Sequence, residues 1–436
     1  MKPSRAKPKQ TAQALRLIEL AQALNESSSR LEDDFWDARL TTEVNQLLAF
    51  GKKDANSAQA VENTLTTVLE PLYQDTSMAY SALVGTIESC IESKTWPASM
   101  TPDVAKHDQK DSSQDTLLIA IPILAWSRFP IPRGEIPLSL LKEFRQLLQT
   151  HILASNVKLS LCNQLFSPDQ LPQTYVAAAL FADQIMQTAR LDRDLSIKIK
   201  ESGDNMRFLS DSRYLIAAIC APKNTTGTLL FRWQEETNGK EAAEKEAIAK
   251  EVIKKETPGK ISSAALPAWV EACKKPLAAL LPACAFELQP VKAYHAALLT
   301  ADRASRPWSI NAAVAFLHTL LNHAPDALFA VVARFQDGDE DEDEYRISLI
   351  LRGSRTVVYG VIWPLLPSEE ESSSMTTDIT TALNAAGVSK VVLLDRIFPI
   401  EYCDDCGAAL YPDAEGEIVH IEWPEDQDQS SIRHLH

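Results

Sequence analysis

The run Leu117-Leu-Ile-Ala-Ile-Pro-Ile-Leu-Ala-Trp126 carries no charge over about ten positions, and it constrains the fold more than any other stretch. A bilayer span needs roughly 20 apolar residues, so this run is too short to cross a membrane. It reads instead as a strand covered on both faces. Such a strand needs helices to cover it, and helical periodicity recurs both before and after it.

Residues 10–94 predict a small helical bundle. Gln13 to Leu24 places Leu15, Ile18 and Leu24 on one face. Ser29-Arg-Leu-Glu32 is a capping box that opens a helix through Phe35, Leu40, Val44 and Leu47, with Gly51 as its C′ stop. Two more helical patterns run from Val61 to Leu69 and from Met78 to Ile91. Pro97, Pro102 and their polar neighbours make Lys94 to Ser113 a linker. Past the apolar strand, Leu140 to Ile152 and Tyr175 to Ala189 are helical, and Val157 to Cys162 is a short strand. Arg213 to Ala221 and Thr228 to Trp233 predict a hairpin turning at Asn224-Thr-Thr-Gly227. Glu235 to Glu256 alternates Lys and Glu with Ala, the pattern of a solvated helical insert.

The order of elements then returns. Pro267 to Leu281 is helical, Cys284 to Leu288 a short strand, and Ser309 caps a helix that Pro325 ends. Strands follow at Leu328 to Phe335 and Tyr345 to Arg352. This predicts a diverged internal duplication of 138–234 and 267–352. Thr356 to Trp363 reads as a central strand, Thr376 to Ala386 as a helix stopped by Gly387, and Val391 to Leu394 as a buried strand. The expected class is α/β with α+β character: a helical N-terminal bundle, a mixed-sheet α/β region and a zinc-knuckle-like C-terminal element. At 436 residues the chain exceeds the roughly 250–300 that one core sustains. The expected division is a basic tail (1–9), a helical domain (10–94), a linker (95–115), a first α/β domain (116–234), the insert (235–262), a second α/β domain (263–426) and a tail (427–436).

A net charge of -16 repels phosphate, so nucleic acid is not expected as a partner despite Lys2, Arg5, Lys7 and Lys9 in the N-terminal tail. No apolar leader follows that basic start, and seven scattered cysteines make no disulfide framework. Cys90, Cys162, Cys220, Cys273 and Cys284 read as buried thiols, which points to a reducing cytoplasm.

Cys403-Asp-Asp-Cys406-Gly407 carries the most chemistry. Two thiolates spaced by two residues hold Zn²⁺ at about 2.3 Å each, and the following Gly lets backbone N–H groups turn toward sulfur. A structural site wants four ligands, and no second Cys-x-x-Cys exists. His420 is the expected third ligand, with His434 and His436 as further donors. Two free thiols bracing a loop form the second reading. A redox dithiol is the third, opposed by Asp404 and Asp405, which disfavour thiolate.

Asp337-Gly-Asp-Glu-Asp-Glu-Asp-Glu344 lacks EF-hand spacing and reads as a solvated hairpin loop. Arg303 and Arg306, with Asp302 and Trp308, are placed before a helix N-terminus where an anion could sit. Arg128 and Arg133 could line a cleft beyond a strand end. His318 and His323 read as surface or capping groups. Walker, dinucleotide-fingerprint, nucleophile-elbow and zincin motifs are all missing from the sequence.

Ser29-Arg-Leu-Glu-Asp-Asp-Phe-Trp36, Leu165-Phe-Ser-Pro-Asp-Gln-Leu-Pro172, Glu344-Tyr-Arg346, Val361-Ile-Trp-Pro-Leu365 and Glu401-Tyr-Cys-Asp-Asp-Cys-Gly407 occur in an order that resembles a conserved family of bacterial, chiefly proteobacterial, proteins of unknown function. The resemblance covers most of the chain, implies a bacterial cytoplasmic protein and supplies no catalytic residues. The sequence is therefore read as a non-catalytic binding or regulatory protein, with a protein partner and a structural zinc. The alternative is an enzyme that takes a small anionic molecule in an interdomain cleft through Arg128, Arg133, Arg303 or Arg306.

Overall fold

The computed structural model describes residues 11–98, 113–199, 210–224, 227–235, 265–322, 324–336, 343–366, 374–405 and 407–421. The basic tail, the insert at 236–264, most of the acidic run (337–342), Cys406, His323, His434 and His436 lie outside them.

The helical start forms as its periodicity dictates: α1 (Ala12–Glu26), α2 (Arg30–Gly51), α3 (Ala55–Asp75) and α4 (Ser77–Glu92). Side-chain caps satisfy the first amides: Thr11 accepts from Ala14 N, Ser29 from Glu32 N and Asp54 from Ser57 N. The Glu32 carboxylate reaches one residue further back than the expected box, accepting from Ser28 N at 3.0 Å. Gly51 is the last residue of α2 rather than a C′ stop. A Cβ there would stand 2.9 Å from Val176 and 3.1 Å from Val61, so close packing is what requires the glycine.

The expected linker opens as a strand instead. β1 (Ser93–Trp96) pairs antiparallel with β2 (Gln114–Trp126), where Trp96 Nε1 donates to Thr116 Oγ1. β3 (Gly134–Glu135), α5 (Leu138–His151), β4 (Lys158–Phe166), α6 (Tyr175–Arg190) and β5 (Ser210–Pro222) follow. The ladder runs β1-β2-β5-β4-β3, antiparallel throughout. β2 and β5 alternate cleanly between two cores. Leu118, Ala120, Tyr214, Ile216 and Ala218 pack against α1–α4 and α6. Ile119, Ile121, Ile123, Leu215 and Ile219 pack against α5 and α7 (Ala265–Leu280). The continuous apolar run is thus covered on both faces, within an antiparallel sheet.

The predicted hairpin does not form. The turn exists, with Gly227 N donating to Asn224 O and Gly227 at φ +112°, but the chain then leaves β5. Phe231 bridges to Leu153 and stacks on Trp233 at 4.4 Å. Burying the two rings against the second core outweighs extending the sheet.

β6 (Ala285–Leu288) and β7 (Lys292–Ala293) return to pair with β2. The second passage therefore contributes to the first sheet, and its strand order does not repeat that of 138–234; the duplication fails on this point. α8 (Tyr294–Leu321) is one helix containing Pro307 and Ser309. Arg303 and Arg306 thus lie mid-helix and precede no helix N-terminus. The helix joins both halves: Tyr294, Ala297 and Ala301 enter the first core, and Ile310, Val314 and Leu317 enter a core under the second sheet.

The second sheet contains β8 (Leu328–Gln336), β9 (Asp343–Leu351), β10 (Val357–Pro364) and β11 (Lys390–Pro399), in the order β10-β9-β8-β11. β11 runs parallel to β8 and the other pairs are antiparallel, so this sheet is mixed as expected. β10 and β11 are edges, contrary to the expected central and buried strands. One face packs on α8 and α9 (Met375–Ala385), through Ile347, Leu349, Val358, Ile379 and Leu383. The class is α+β.

A titratable cluster joins α4 to α8. His295 Nδ1 lies 3.1 Å from Glu92 Oε2, and burial raises the Glu88 pKa, the nearby Glu92 adding to the rise and His295 opposing it. An acid whose folded pKa is raised favours the protonated fold, so its stability contribution falls as pH rises through the ordinary and then the folded pKa. Glu88→Gln should therefore raise the thermal midpoint at pH 7, and the difference should vanish well below pH 4.5, Glu88's ordinary value. Thermal melts of both proteins across pH check this.

Candidate metal centre at the C-terminal hairpin

Among the described residues, Ile400, Ala409, Tyr411, Ile418, Val419 and Ile421 cover the outer face of the second sheet. Along β9, positions 346, 348 and 350 point to that face, and two of them are polar and buried: Arg346 and Ser348 are each 0% exposed. Buried polar groups need partners, and here the C-terminal segment supplies those of Arg346 Nη1 and Ser348 Oγ, while Arg346 Nη2 finds none among the described residues. Arg346 Nη1 donates to Glu401 O at 2.7 Å and to Leu410 O at 2.6 Å, and Ser348 Oγ donates to Pro412 O. Arg346 Nε donates to Glu344 Oε1 at 2.6 Å, giving a charge-assisted pair on one strand. The guanidinium carbon also lies 4.4, 5.3 and 6.0 Å from the ring centres of Phe335, Tyr402 and Tyr411.

Arg346 thereby holds the two arms of the Cys-loop. Tyr402 bridges Ala409 antiparallel, Cys403 N donates to Ala408 O, and Gly407 N donates to Cys403 O, both at 2.8 Å. Gly407 takes φ +72°, which a side chain would strain. The chain continues into a second hairpin, β12 (Tyr411–Pro412) with β13 (Ile418–Val419). Asp413 Oδ1 accepts from the amides of Glu415 and Glu417 at its turn. Tyr411 seats this hairpin against Gly360 of β10, where a Cβ would fall 2.2 Å from the ring.

Cys403 is half-buried at the start of the tight turn. His420 follows β13, with Nδ1 2.8 Å from Ile421 O. Among the described residues no group of three His, Cys, Asp or Glu side chains is gathered as a metal site. Cys406 is outside those residues, so its geometry with Cys403 and His420 does not enter. The other five cysteines are buried or half-buried thiols, four in helices or strands and Cys284 just before β6, and burial raises the pKa of each.

The four candidate anion-binding arginines have separate surroundings. Arg128 and Arg303 are exposed. Arg133 pairs with Asp169 at 2.9 Å and donates to Ser167 Oγ at 3.3 Å. Arg306 is 4% exposed and lies 5.6 Å from the Trp363 ring centre. The loop carrying Arg128 and Arg133 is fixed by a residue that sequence reasoning missed. Arg213 of β5 is 4% exposed and donates to Ile131 O at 2.9 Å and Pro132 O at 2.8 Å. An arginine placed directly before the uncharged apolar run from Tyr214 to Ala221 would have been the signal for a buried clamp.

Several passages singled out in the sequence therefore contact one another or their neighbours. Arg346 meets Tyr402, Trp363 faces Arg306, and Ser167 with Asp169 hold Arg133. No helix among the described residues is long and apolar enough to cross a membrane. No curated protein and no solved structure matches the chain. A family model described as "Protein of unknown function (DUF2863)" matches residues 2–434, and the chain belongs to that family.

Proposed function

We propose that this is a non-catalytic binding or regulatory protein of the cytoplasm whose C-terminal hairpin is braced by one structural zinc ion. Cys403, Cys406 and His420 would hold the ion, with His434 or His436 completing the four ligands of a structural site. The observation that carries this reading is the tight turn at Cys403, closed by Gly407 in the left-handed region and fastened to the sheet by Arg346. A zinc there would supply cross-linking and no chemistry, since structural sites are closed by their ligands. The engagement of Arg133 by Asp169 and the burial of Arg306 also favour binding over catalysis, because neither is an open anion receptor. The strongly acidic surface suits a protein partner better than a nucleic acid.

Zinc in the purified protein should be about one per chain, and Cys403→Ser/Cys406→Ser should lose it. Structural zinc contributes folding energy directly, so chelation should lower the thermal midpoint of the native protein and leave the double variant unmoved. Equal metal in the two proteins would remove the proposal.

A further inference from the structure

At the end of the first sheet where β2 begins and β5 finishes, a depression of about 190 Å³ is lined by Gln114, Asn156, Lys158 and Cys220, with Ala221 and Pro222 closing one side. Its chemistry runs against the chain's net charge of -16. Lys158 is half-buried and donates to the Arg190 carbonyl at 3.2 Å. An ammonium has three donors, so two remain. Lys158 makes no ion pair among the described residues.

A second cation stands beside it. Arg190, the last residue of α6, is 8% exposed; its Nε donates to Gln114 Oε1 at 3.4 Å and its guanidinium carbon lies 4.3 Å from the Trp96 ring centre. Both cations are felt at Cys220, which lines the depression, where Lys158 and Arg190 each pull the thiol pKa downward against the larger effect of burial. The carboxylate acting on the same sulfur is Asp115, which accepts from Thr95 at 2.6 Å and from Thr228, with Lys223 3.9 Å away.

We propose that this depression binds a small oxyanion, a phosphate or a short carboxylate, held by Lys158 and by the amides of Gln114 and Asn156, with Arg190 supplying a second positive charge. Ligand pockets for organic molecules run to roughly 300–1,000 Å³, so the volume selects a few-atom anion over a nucleotide or a dinucleotide. Charge-assisted hydrogen bonds in a partly dry site give the recognition. The site is independent of the C-terminal hairpin and of the four arginines discussed above.

Calorimetric titration of the full chain with inorganic phosphate, and separately with malonate, tests this at fixed ionic strength. Saturable binding at one site per chain is expected for at least one of the two probes. Lys158→Gln should weaken that binding by roughly tenfold or more, the amount expected for losing a hydrogen bond to a charged group. Asn156→Asp, at an exposed position that tolerates substitution, should weaken it through like charge. Thermal melts in chloride should show both variants folded. The absence of saturable binding by both probes, or unchanged affinity in folded Lys158→Gln, overturns the proposal. Which probe binds more tightly separates a phosphate site from a carboxylate site.

Discussion

Arg346→Met is expected to lower the unfolding free energy by about 3–5 kcal/mol, the range for removing one partner of a buried ion pair. The side chain is fully buried, so the variant strands Glu344, whose side chain is only 14% exposed, and leaves the carbonyls of Glu401 and Leu410 without their donor. Methionine keeps most of the volume, which separates the charge effect from a cavity effect. Pairing Arg346→Met with Glu344→Gln should recover part of the loss, because the stranded charge is then gone. Urea denaturation of the three variants measures this. Proteolysis within 400–421 should also quicken in the single variant, since the Cys-loop loses its fastening. A loss below about 1 kcal/mol would mean that the guanidinium does not hold the hairpin.

Gly360→Ala should be nearly as damaging, costing about 3 kcal/mol, at the upper end of ordinary overpacking. The added Cβ would stand 2.2 Å from Cζ and 2.3 Å from Cε1 of Tyr411, contacts that require the ring to move. The ring has little room: Tyr411 is 6% exposed and packs with Phe329, Val331, Ile350 and Val357. Tyr411→Leu removes the clash and some packing of its own. The double variant Gly360→Ala/Tyr411→Leu should therefore be more stable than the sum of the single losses predicts, by at least 1 kcal/mol in a double-mutant cycle. Strict additivity would show that the hairpin is not seated on β10 through this contact.

These two sites explain what the sequence disclosed and what it hid. Helices α1–α4, the long buried strand β2, and helices α5 and α6 were legible from their periodicity, but the exact faces were not: α1 buries Ala14, Leu17, Leu20 and Ala21 and leaves Leu15 45% exposed, and Phe35 of α2 is also exposed. α8 was misread as beginning at Ser309, because a Ser two residues after Pro307 looks like a helix start. In the structure its two halves are held by different cores, and that packing keeps one helix running through the proline. β10 and β11 read as interior strands because they are rich in apolar residues, yet both are edges and Leu393 and Ile397 of β11 are about half exposed; sheet order decides which strand is an edge. No local pattern encodes that order.

The site was half legible. Cys403-Asp-Asp-Cys406-Gly407 announced a turn with metal-ligand spacing, and the left-handed Gly407 fits that expectation. What held the turn in place was not announced. The Glu344-x-Arg346 spacing puts both residues on one face of β9, yet an opposite-charge pair at that spacing is ordinarily solvated. Only the return of the chain from Glu401 to Pro412 buries it, a contact spanning 55 residues from Arg346 to Glu401. The depression at Lys158 was invisible for the same reason: Gln114, Asn156, Lys158 and Cys220 converge only once β2, β4 and β5 are side by side.

X-ray absorption at the zinc edge of the protein as purified tests the zinc-braced hairpin most directly. Two sulfur scatterers at about 2.3 Å with at least one nitrogen at about 2.0–2.1 Å are predicted, the shell that Cys403, Cys406 and His420 would give. A shell of oxygen and nitrogen alone, or a protein that carries no zinc, would contradict it.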